Sequence, residues 1–566
     1  MRHGGQILAD HLAAYGVERV FSVPGESFLA ALDGLYERGI ANIVCRHEGG
    51  AAMMAEATAK LTGRPGIAFV TRGPGATNAA AGVHVARQDS TPMILFVGQI
   101  ARAHRDREAF QEVEYRAVFG TLAKWAAEVD QIERLPEYIS RAFHVATSGR
   151  PGPVVLALPE DMLSAEAEVM DIPPPALRLA GVTMTEAEAV ALALRGAERP
   201  LLVVGGPHWS AAAARDLDRL SEAWSLPVAV SFRRQDRLDN DLPAYVGDLG
   251  VGMNPKLGAR LAAADVLVVI GSRLGDIATG GYEILDPARP GPRLVHVHAG
   301  ADELGRVFRP DLGIVATAPD MLASLAGLAA PKAPVWAAWS AAARAEYEAW
   351  QNPLPTPGQV RLEDVVAWLS ANLPADAIVT NGAGNYAAFL HRYFRFRSTR
   401  RQLAPTSGSM GYGFPAALAA SLAYPQRTVV CMAGDGCFQM TLNEMSTAVQ
   451  HGATPIAIVA NNGRYGTIRM HQEKTYPGRV SGTDLANPDF AALARAYGGH
   501  GEMVEAQSDF AQAFARAAAS GKPAVIELRL DRHMLTTSMT VEQMRAAGER
   551  APRLTAKPPS AAPPMA

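Results

Sequence analysis

Residues 428–436, TVVCMAGDG, are followed after 24 residues by Asn461-Asn462 at the end of the run PIAIVA (455–460), and this stretch decides how the chain is read. Both runs are continuously apolar, as strands buried on two faces are, and the intervening NEMSTAVQHG (443–452) has the spacing of a helix. The segment is therefore a strand, a Gly434-Asp435-Gly436 turn, a helix and a second strand. In open parallel sheets ligands gather beyond the carboxyl ends of the strands, so Asp435 and Asn462 fall on one functional edge. One carboxylate, one amide oxygen and a carbonyl of the following turn form a hard oxygen site suited to Mg²⁺, which keeps phosphate oxygens among its ligands. Glycines on both sides of Asp435 let backbone N–H groups approach a diphosphate at the start of a helix. Gly-Asp-Gly alone is equally an Asp-Gly turn; the spacing to the Asn pair sets this one apart.

Outward from this unit the same pattern recurs. Short apolar runs that end in Gly, Pro or Asn stand at IAFVTRG (67–73), PMILFVGQ (92–99), PVVLALPE (153–160), LLVVGGP (201–207), DVLVVIGSRLG (265–275), AIVTNGAGN (377–385) and AVIELRLD (524–531). Ala-rich helical stretches separate many of them, the alternation that yields parallel sheets in α/β layers. Two segments interrupt it and read as linkers: 166–183, where Pro173-Pro174-Pro175 forbid helix, and 331–358. The fold class is α/β, with three consecutive doubly wound parallel-sheet domains at 1–165, 184–330 and 359–540, and a mobile tail at 541–566 rich in Pro and Ala toward its end.

With 48% apolar and 19% charged residues the chain buries several cores and is not disordered. Lys plus Arg number 53 against 56 for Asp plus Glu, so bulk charge gives no reason to seek nucleic acid or an anionic membrane. Cys45, Cys431 and Cys437 form no close pair, which argues against a disulfide framework or thiolate metal site and for a reducing compartment. No run approaches the length of a membrane span and the first residues lack a secretory pattern, so a cytoplasmic protein acting on small molecules is expected.

The Gly434-Asp435-Gly436 turn with Asn461-Asn462 resembles the diphosphate-binding motif of the thiamin-diphosphate-dependent enzymes. The segments 46–66 (RHEGGAAMMAEATAKLTGRPG), 71–78 (TRGPGATN), 149–162, 407–420 (SGSMGYGFPAALAA) and 434–452 resemble, in chain order, the acetolactate synthase-like branch of that superfamily. The resemblance names the three domains pyrimidine-binding, central and diphosphate-binding. It implies thiamin diphosphate and Mg²⁺ as cofactors. Asp435 and Asn462 would be side-chain Mg²⁺ ligands and Arg464 would give a main-chain carbonyl. Pro24, Asn385, Gly408, Gly434, Gly436, Cys437, Tyr465, Gly466 and Thr467 would complete the cofactor contacts. Gly384-Asn385 stands where synthases often carry Gln-His.

By the same resemblance Glu48 is the carboxyl that hydrogen-bonds the aminopyrimidine ring, and Met410 the bulky residue that bends the cofactor. By residue type alone Glu48 is also a first-turn Glu that complements a helix dipole, and Met410 also core filler. Glu48 and Asp435 lie 387 residues apart in different domains, and in this superfamily such sites lie between subunits, so a homo-oligomer is implied. Phe110-Gln111-Glu112 matches the synthase branch, with Gln111 on the substrate approach, and Gln99 also matches. Thr467 and His471 replace the apolar Met and Trp typical near the second substrate. Glu26, after Pro24-Gly25, occupies the place of an active-site acid in related decarboxylases, and is otherwise a helix-start Glu. His84 faces the cofactor edge or packs structurally; His471 faces the site or solvent.

The implied reaction is decarboxylation of a 2-keto acid and transfer of the acyl anion to a second carbonyl, a 2-keto acid or an aldehyde. The alternatives are cleavage of a 2-hydroxyacyl-CoA or 2-hydroxy ketone, or a non-catalytic nucleotide-sensing or assembly protein. Members of the superfamily hold FAD or an ADP portion in the central domain, so FAD is a further cofactor to test. Here LLVVGGPHWS and LVVIGSRLGD end strands that can face a phosphate, without a GxGxxG fingerprint, and Asn254-Pro255 replaces a usual His-Gly.

Overall fold

The computed structural model describes residues 1–175, 181–289, 291–397 and 401–550. Its scaffold is three six-stranded sheets, each wholly parallel. Every apolar run singled out in the sequence is a strand. The N-terminal sheet runs Ala41–Val44, Arg19–Ser22, Gly66–Val70, Met93–Gln99, Pro153–Pro159, Trp125–Glu128. The C-terminal sheet runs Arg401–Leu403, Ile378–Asn381, Val429–Gly434, Ile456–Asn461, Ala524–Arg529, His500–Val504. Numbered by chain order within each sheet, both have the spatial order 2-1-3-4-6-5. The central sheet has the order 3-2-1-4-5-6, beginning with Pro200–Val204 as its first strand in chain order. Such orders reverse direction beside the first strand, and the reversal opens a crevice at the carboxyl edge.

A short antiparallel pair, Arg2–His3 with Glu166–Ala167, closes the first unit near the expected boundary. The linker at 331–358 departs from expectation. Ala337–Trp350 form a helix, and Trp336 and Tyr347 are buried in the central core, where the Tyr347 ring meets Tyr245 edge-on. An Ala- and Trp-rich segment with two buried large side chains is a core element, whatever its flanking prolines suggest. The tail reading also changes at its start. Val541–Arg550 form a helix that packs on Gly466–Thr475, and Arg545 makes two hydrogen bonds of 2.8 Å to Glu473. Residues 176–180 of the first linker and 551–566 of the tail lie outside the described residues.

The helix Glu48–Thr62 begins with a cap from the His47 ring to the Gly49 N–H and ends at Gly63 in the left-handed region, φ 71°. Its small residues allow close packing on Gly413–Ala423, so the N- and C-terminal units share one hydrophobic core. A buried polar cluster joins all three units. Lys60 pairs with Glu56 at 2.9 Å and Asp89 at 3.3 Å, Tyr412 donates to Glu56, and Arg234 of the central unit binds Asp89. With its charges paired, such a cluster fixes the relative placement of the units while avoiding an isolated buried charge.

Candidate active site

The crevice of the C-terminal sheet lies between the ends of Ile378–Asn381 and Val429–Gly434, and it holds a cavity of about 270 Å³. Asp435, Gly436 and Cys437 enter from one strand end and Gly384, Asn385 and Tyr386 from the other; Asn462 and Arg464 to Thr467 follow the next strand. Gly408, Met410 and Gly434 complete the set expected from sequence, so one cavity gathers all twelve residues named there as cofactor contacts apart from Pro24 and Glu48, together with Tyr386, which was not named. Among the described residues, every wall of this cavity belongs to the C-terminal unit.

Asp435 is buried, 3% exposed, at the first position of a short helix. One carboxylate oxygen accepts from the Gly436 N–H at 2.8 Å. The other accepts from the Gly463 N–H at 2.8 Å and from the Asn487 amide at 2.7 Å. Burial raises its pKa above the usual carboxylate value, and the donated hydrogen bonds oppose the rise. Asn462 uses its amide nitrogen on the Met534 carbonyl, 3.2 Å, which leaves its oxygen for a ligand. The Arg464 side chain turns away to Asp484 and the Arg532 carbonyl, as a residue that offers only its main chain does.

A carboxylate, an amide oxygen and a turn carbonyl around a cavity of this size fit Mg²⁺ with diphosphate oxygens. Among the described residues no group of three His, Cys, Asp or Glu forms a rival metal site.

The two glycines beside Asp435 serve packing as well as access. A Cβ at Gly434 would stand 2.9 Å from the Tyr386 ring, and one at Gly436 would meet the Tyr465 ring. Two aromatic walls therefore close on the turn. Asn385 is occupied by protein partners: its amide donates to the Leu535 carbonyl at 2.8 Å and its oxygen accepts from the Thr467 hydroxyl at 2.9 Å. Asn385 and Thr467 thus shape the cavity floor together.

The N-terminal unit presents a second group of residues at the carboxyl edge of its own sheet. Glu48 is half-buried as the first residue of its helix and accepts from the Asn78 amide at 3.0 Å. Glu26 is exposed and pairs with Arg72 at 3.1 Å. Gln111 lies in the left-handed region, φ 64°, with its side-chain oxygen buried and unpaired among the described residues, while Phe110 beside it is 75% exposed. His84 and His471 are exposed on their helices, and neither lines the cavity. Glu48, Glu26, Gln111 and Pro24 likewise lie outside it. Within a single chain, the structure does not bring the N-terminal candidates and the Asp435 cavity into one pocket.

Sequence reasoning missed several residues. Asn487 bridges Asp435 and Asn461, and Met534 and Leu535 line the cavity, but no spacing or periodicity marks them. Glu444 is fully buried and accepts from the backbone N–H groups of Arg46 and His47 and from Thr447. Burial raises its pKa. It fastens the C-terminal unit to the turn just before Glu48; as the first residue of its helix it reads in sequence as an ordinary helix-start Glu.

In the central unit the turns at Gly206 and Gly271 pack backbone on backbone, and the cavity beside them measures about 120 Å³. Ligand pockets run to about 300–1,000 Å³. Arg150 at this end is engaged by Ser90, Glu303 and the Arg87 carbonyl. A cleft of about 530 Å³ opens nearby between the N-terminal and central units, lined by Lys60, His208, Trp209 and Arg237 among others.

Comparison with known proteins gives matches in the same three blocks. Residues 2–118 match the model of the N-terminal TPP binding domain of thiamine pyrophosphate enzymes, 187–325 the central domain, and 382–528 the C-terminal TPP binding domain. The chain is 31% identical over 548 residues to the acetolactate synthase large subunit of Parasynechococcus marenigrum, covering 94% of this chain and 88% of that one. It is 31% identical to the acetolactate synthase isozyme 2 large subunit of Escherichia coli, covering 94% and 96%. It is 30% identical to the mitochondrial acetolactate synthase catalytic subunit of Saccharomyces cerevisiae, covering 94% and 81%.

Proposed function

The chain belongs to the thiamine pyrophosphate enzymes, in the acetolactate synthase-like branch, and from that premise we propose that it decarboxylates a 2-keto acid and ligates the remaining acyl unit to a second carbonyl. The observation that carries this reading is the cavity at the C-terminal crevice, where Asp435 and Asn462 converge with glycine turns and aromatic walls. Bound thiamine diphosphate supplies the carbanion chemistry at its thiazolium carbon.

Asp435, the Asn462 oxygen and the Arg464 carbonyl would hold Mg²⁺ and through it the diphosphate. Asn487 keeps the Asp435 carboxylate in place, and Tyr386 and Tyr465 exclude water around the turn. Gly408, Met410, Cys437, Gly466 and Thr467 shape the rest of the cradle, and Met410 supports the bend of the cofactor. Glu48 would hold and return a proton at the aminopyrimidine ring, with Asn78 fixing its carboxyl group. Pro24 would border that ring. Gln111 would line the substrate approach, with Glu26 as the group that exchanges protons with substrate. The exposure of His84 and His471 supports a role for them only at a surface covered by another copy.

Since among the described residues no N-terminal one lines the cavity within one chain, the reading takes each site to be shared between two copies in a homo-oligomer. The units at 1–165, 184–330 and 359–540 then supply the pyrimidine side, a spacer and the diphosphate side. The reading requires no flavin; visible absorbance of the purified protein decides whether one is carried. A reducing compartment such as the cytoplasm suits the three buried, unpaired cysteines.

The test is a panel of 2-keto acid donors incubated with thiamine diphosphate and Mg²⁺, scored for carbon dioxide and for ligated product by mass spectrometry. Release of carbon dioxide with a ligated product supports the reading. A protein that binds the cofactor yet releases none from any donor refutes it. Mixing inactive Glu48→Gln and Asp435→Ala chains tests the shared site, because subunit exchange restores part of the activity only if the two residues serve one site from different copies.

A further inference from the structure

The N-terminal sheet has the same strand order as the C-terminal sheet, so it has an equivalent crevice, between the ends of Arg19–Ser22 and Gly66–Val70. Where the C-terminal crevice holds the Asp435 cavity, this one is occupied by an ion triad. Arg72, two residues past its strand, is 8% exposed and reaches Glu26 at 3.1 Å on one side and Glu160 at 3.1 Å on the other. Glu160 directly follows the strand Pro153–Pro159. All strands being parallel, Glu26, Arg72 and Glu160 stand on the same edge as Glu48, which lies four residues past the end of the strand Ala41–Val44. Gly75 links the two groups: a Cβ there would lie 2.9 Å from Thr71, the neighbour of Arg72, and 3.3 Å from the Glu48 carboxylate.

The guanidinium is buried while its carboxylates face outward, with side chains 60% exposed at Glu26 and 37% at Glu160. One cation between two anions leaves a net negative charge on the solvent side of the edge. Two polar atoms around Gly73, Arg72 Nε and Gln111 Oε1, are buried without a hydrogen-bond partner among the described residues. Gln111 packs against Gly73 closely enough that a Cβ there would stand 2.8 Å from its own Cβ. This wall has one donor and one acceptor unmet, behind an edge whose exposed charge is negative.

Resting on the reading above, we propose that the Glu26–Arg72–Glu160 triad selects the second substrate, favouring a neutral carbonyl compound such as a hydroxyaldehyde over a second 2-keto acid. Glu26 and Glu160 disfavour a carboxylate arriving at this edge, and hydroxyl groups satisfy carboxylate and amide oxygens instead. Arg72 is a positioning residue: it holds the two acids at the edge and does not itself neutralise both.

The experiment pairs one accepted 2-keto acid donor with either glycolaldehyde or a 2-keto acid as acceptor, and measures kcat/KM for each acceptor and carbon dioxide release without acceptor. The wild-type enzyme is expected to favour the aldehyde by about tenfold or more, the scale of one like-charge contact near a protein surface. Glu160→Gln is expected to narrow that ratio, Glu160→Lys to narrow it further or invert it, and Glu160→Asp to restore it. Equal use of the two acceptors by the wild type overturns the proposal. So does a Glu160→Gln enzyme that changes both acceptors alike, since lost folding or packing would lower both. Carbon dioxide release separates this failure from that of the underlying reading: if no donor gives any, the reading falls and takes the proposal with it, whereas decarboxylation without acceptor discrimination sinks the proposal alone.

Discussion

The N- and C-terminal sheets have identical strand orders and share one hydrophobic core, yet their crevices are filled in opposite ways. The C-terminal crevice removes side chains, placing glycine at 434 and 436 so that two tyrosine rings can close around a single buried carboxylate. The N-terminal crevice is filled by a buried arginine bound to two acids, and Glu48, the proposed proton-transfer group, stands past the neighbouring strand. The same topology thus offers the same place twice, and the residues after each strand decide whether that place holds a phosphate or presents charge.

The contrast is tested most severely by Glu48→Gln. An amide cannot hold and return the same proton, so turnover is expected to fall by about 10²–10⁴-fold, the usual worth of a positioned acid or base. Cofactor affinity, measured by quenching of intrinsic fluorescence, should change little, because the binding groups lie in the other unit. Asp435→Ala should have the opposite profile, with Mg²⁺-dependent cofactor binding lost and the activity loss following from it. If Glu48→Gln weakened binding as much as Asp435→Ala does, the division of labour between the units would be wrong.

Asn487→Ala is the next step down. Asn487 touches Asp435 at 2.7 Å without facing a ligand itself, and loss of such a supporting hydrogen bond typically lowers metal affinity about 10–100-fold. Titration of Mg²⁺ at saturating thiamine diphosphate gives the number. An unchanged Mg²⁺ requirement would mean that Gly436 and Gly463 alone orient the carboxylate.

This residue also marks the limit of what the chain discloses before folding. The strands at 429–434 and 456–461 are legible because a strand buried on both faces needs an unbroken apolar run, and the Asp435–Asn462 spacing follows from one strand, turn and helix. Short strands such as Arg19–Ser22, Ala41–Val44 and His500–Val504 include polar or charged residues and leave no such run. Met534 and Leu535 reach the cavity, and Asn487 reaches Asp435, from loops whose positions are set by tertiary packing. The triad is invisible for the same reason: Glu26, Arg72 and Glu160 are far apart in sequence and meet only because parallel strands end at one edge. The helix Ala337–Trp350 hid behind flanking prolines, although its tryptophan and tyrosine had to be buried somewhere.

Glycine substitutions compare the two crevices directly and on a smaller scale. Gly436→Ala places a methyl group in the Tyr465 ring, and Gly25→Ala places one 2.6 Å from the Thr71 hydroxyl. Overpacking of this kind costs about 1–3 kcal/mol. Both variants should melt at a lower temperature than the wild type, but added cofactor should recover less stability in Gly436→Ala, where Tyr465 must leave its place beside the cavity. Equal recovery in both would show that the aromatic walls are not part of the cradle.

The smallest effect is expected where the C-terminal unit has an element that its counterpart lacks. The helix Val541–Arg550 lies on Gly466–Thr475, the helix that begins at the cavity wall, and Arg545 holds Glu473 through two hydrogen bonds. Chiefly through those bonds the Glu473 pKa is lowered to about 2. A carboxylate whose pKa is lower in the folded than in the unfolded chain adds stability above its unfolded value, and that stability is lost as pH falls through the folded value. Arg545→Gln leaves the neighbouring Arg469 contact in place, so the melting temperature should drop by only a few degrees at neutral pH. The difference from wild type should hold down to about pH 4.5 and shrink from there toward about pH 2, because the folded variant takes up the Glu473 proton at a higher pH than the folded wild type does. A difference that stays constant across that range would place the contribution of Arg545 in packing of its aliphatic stem rather than in its charge, and the clasp would then be a hydrophobic one.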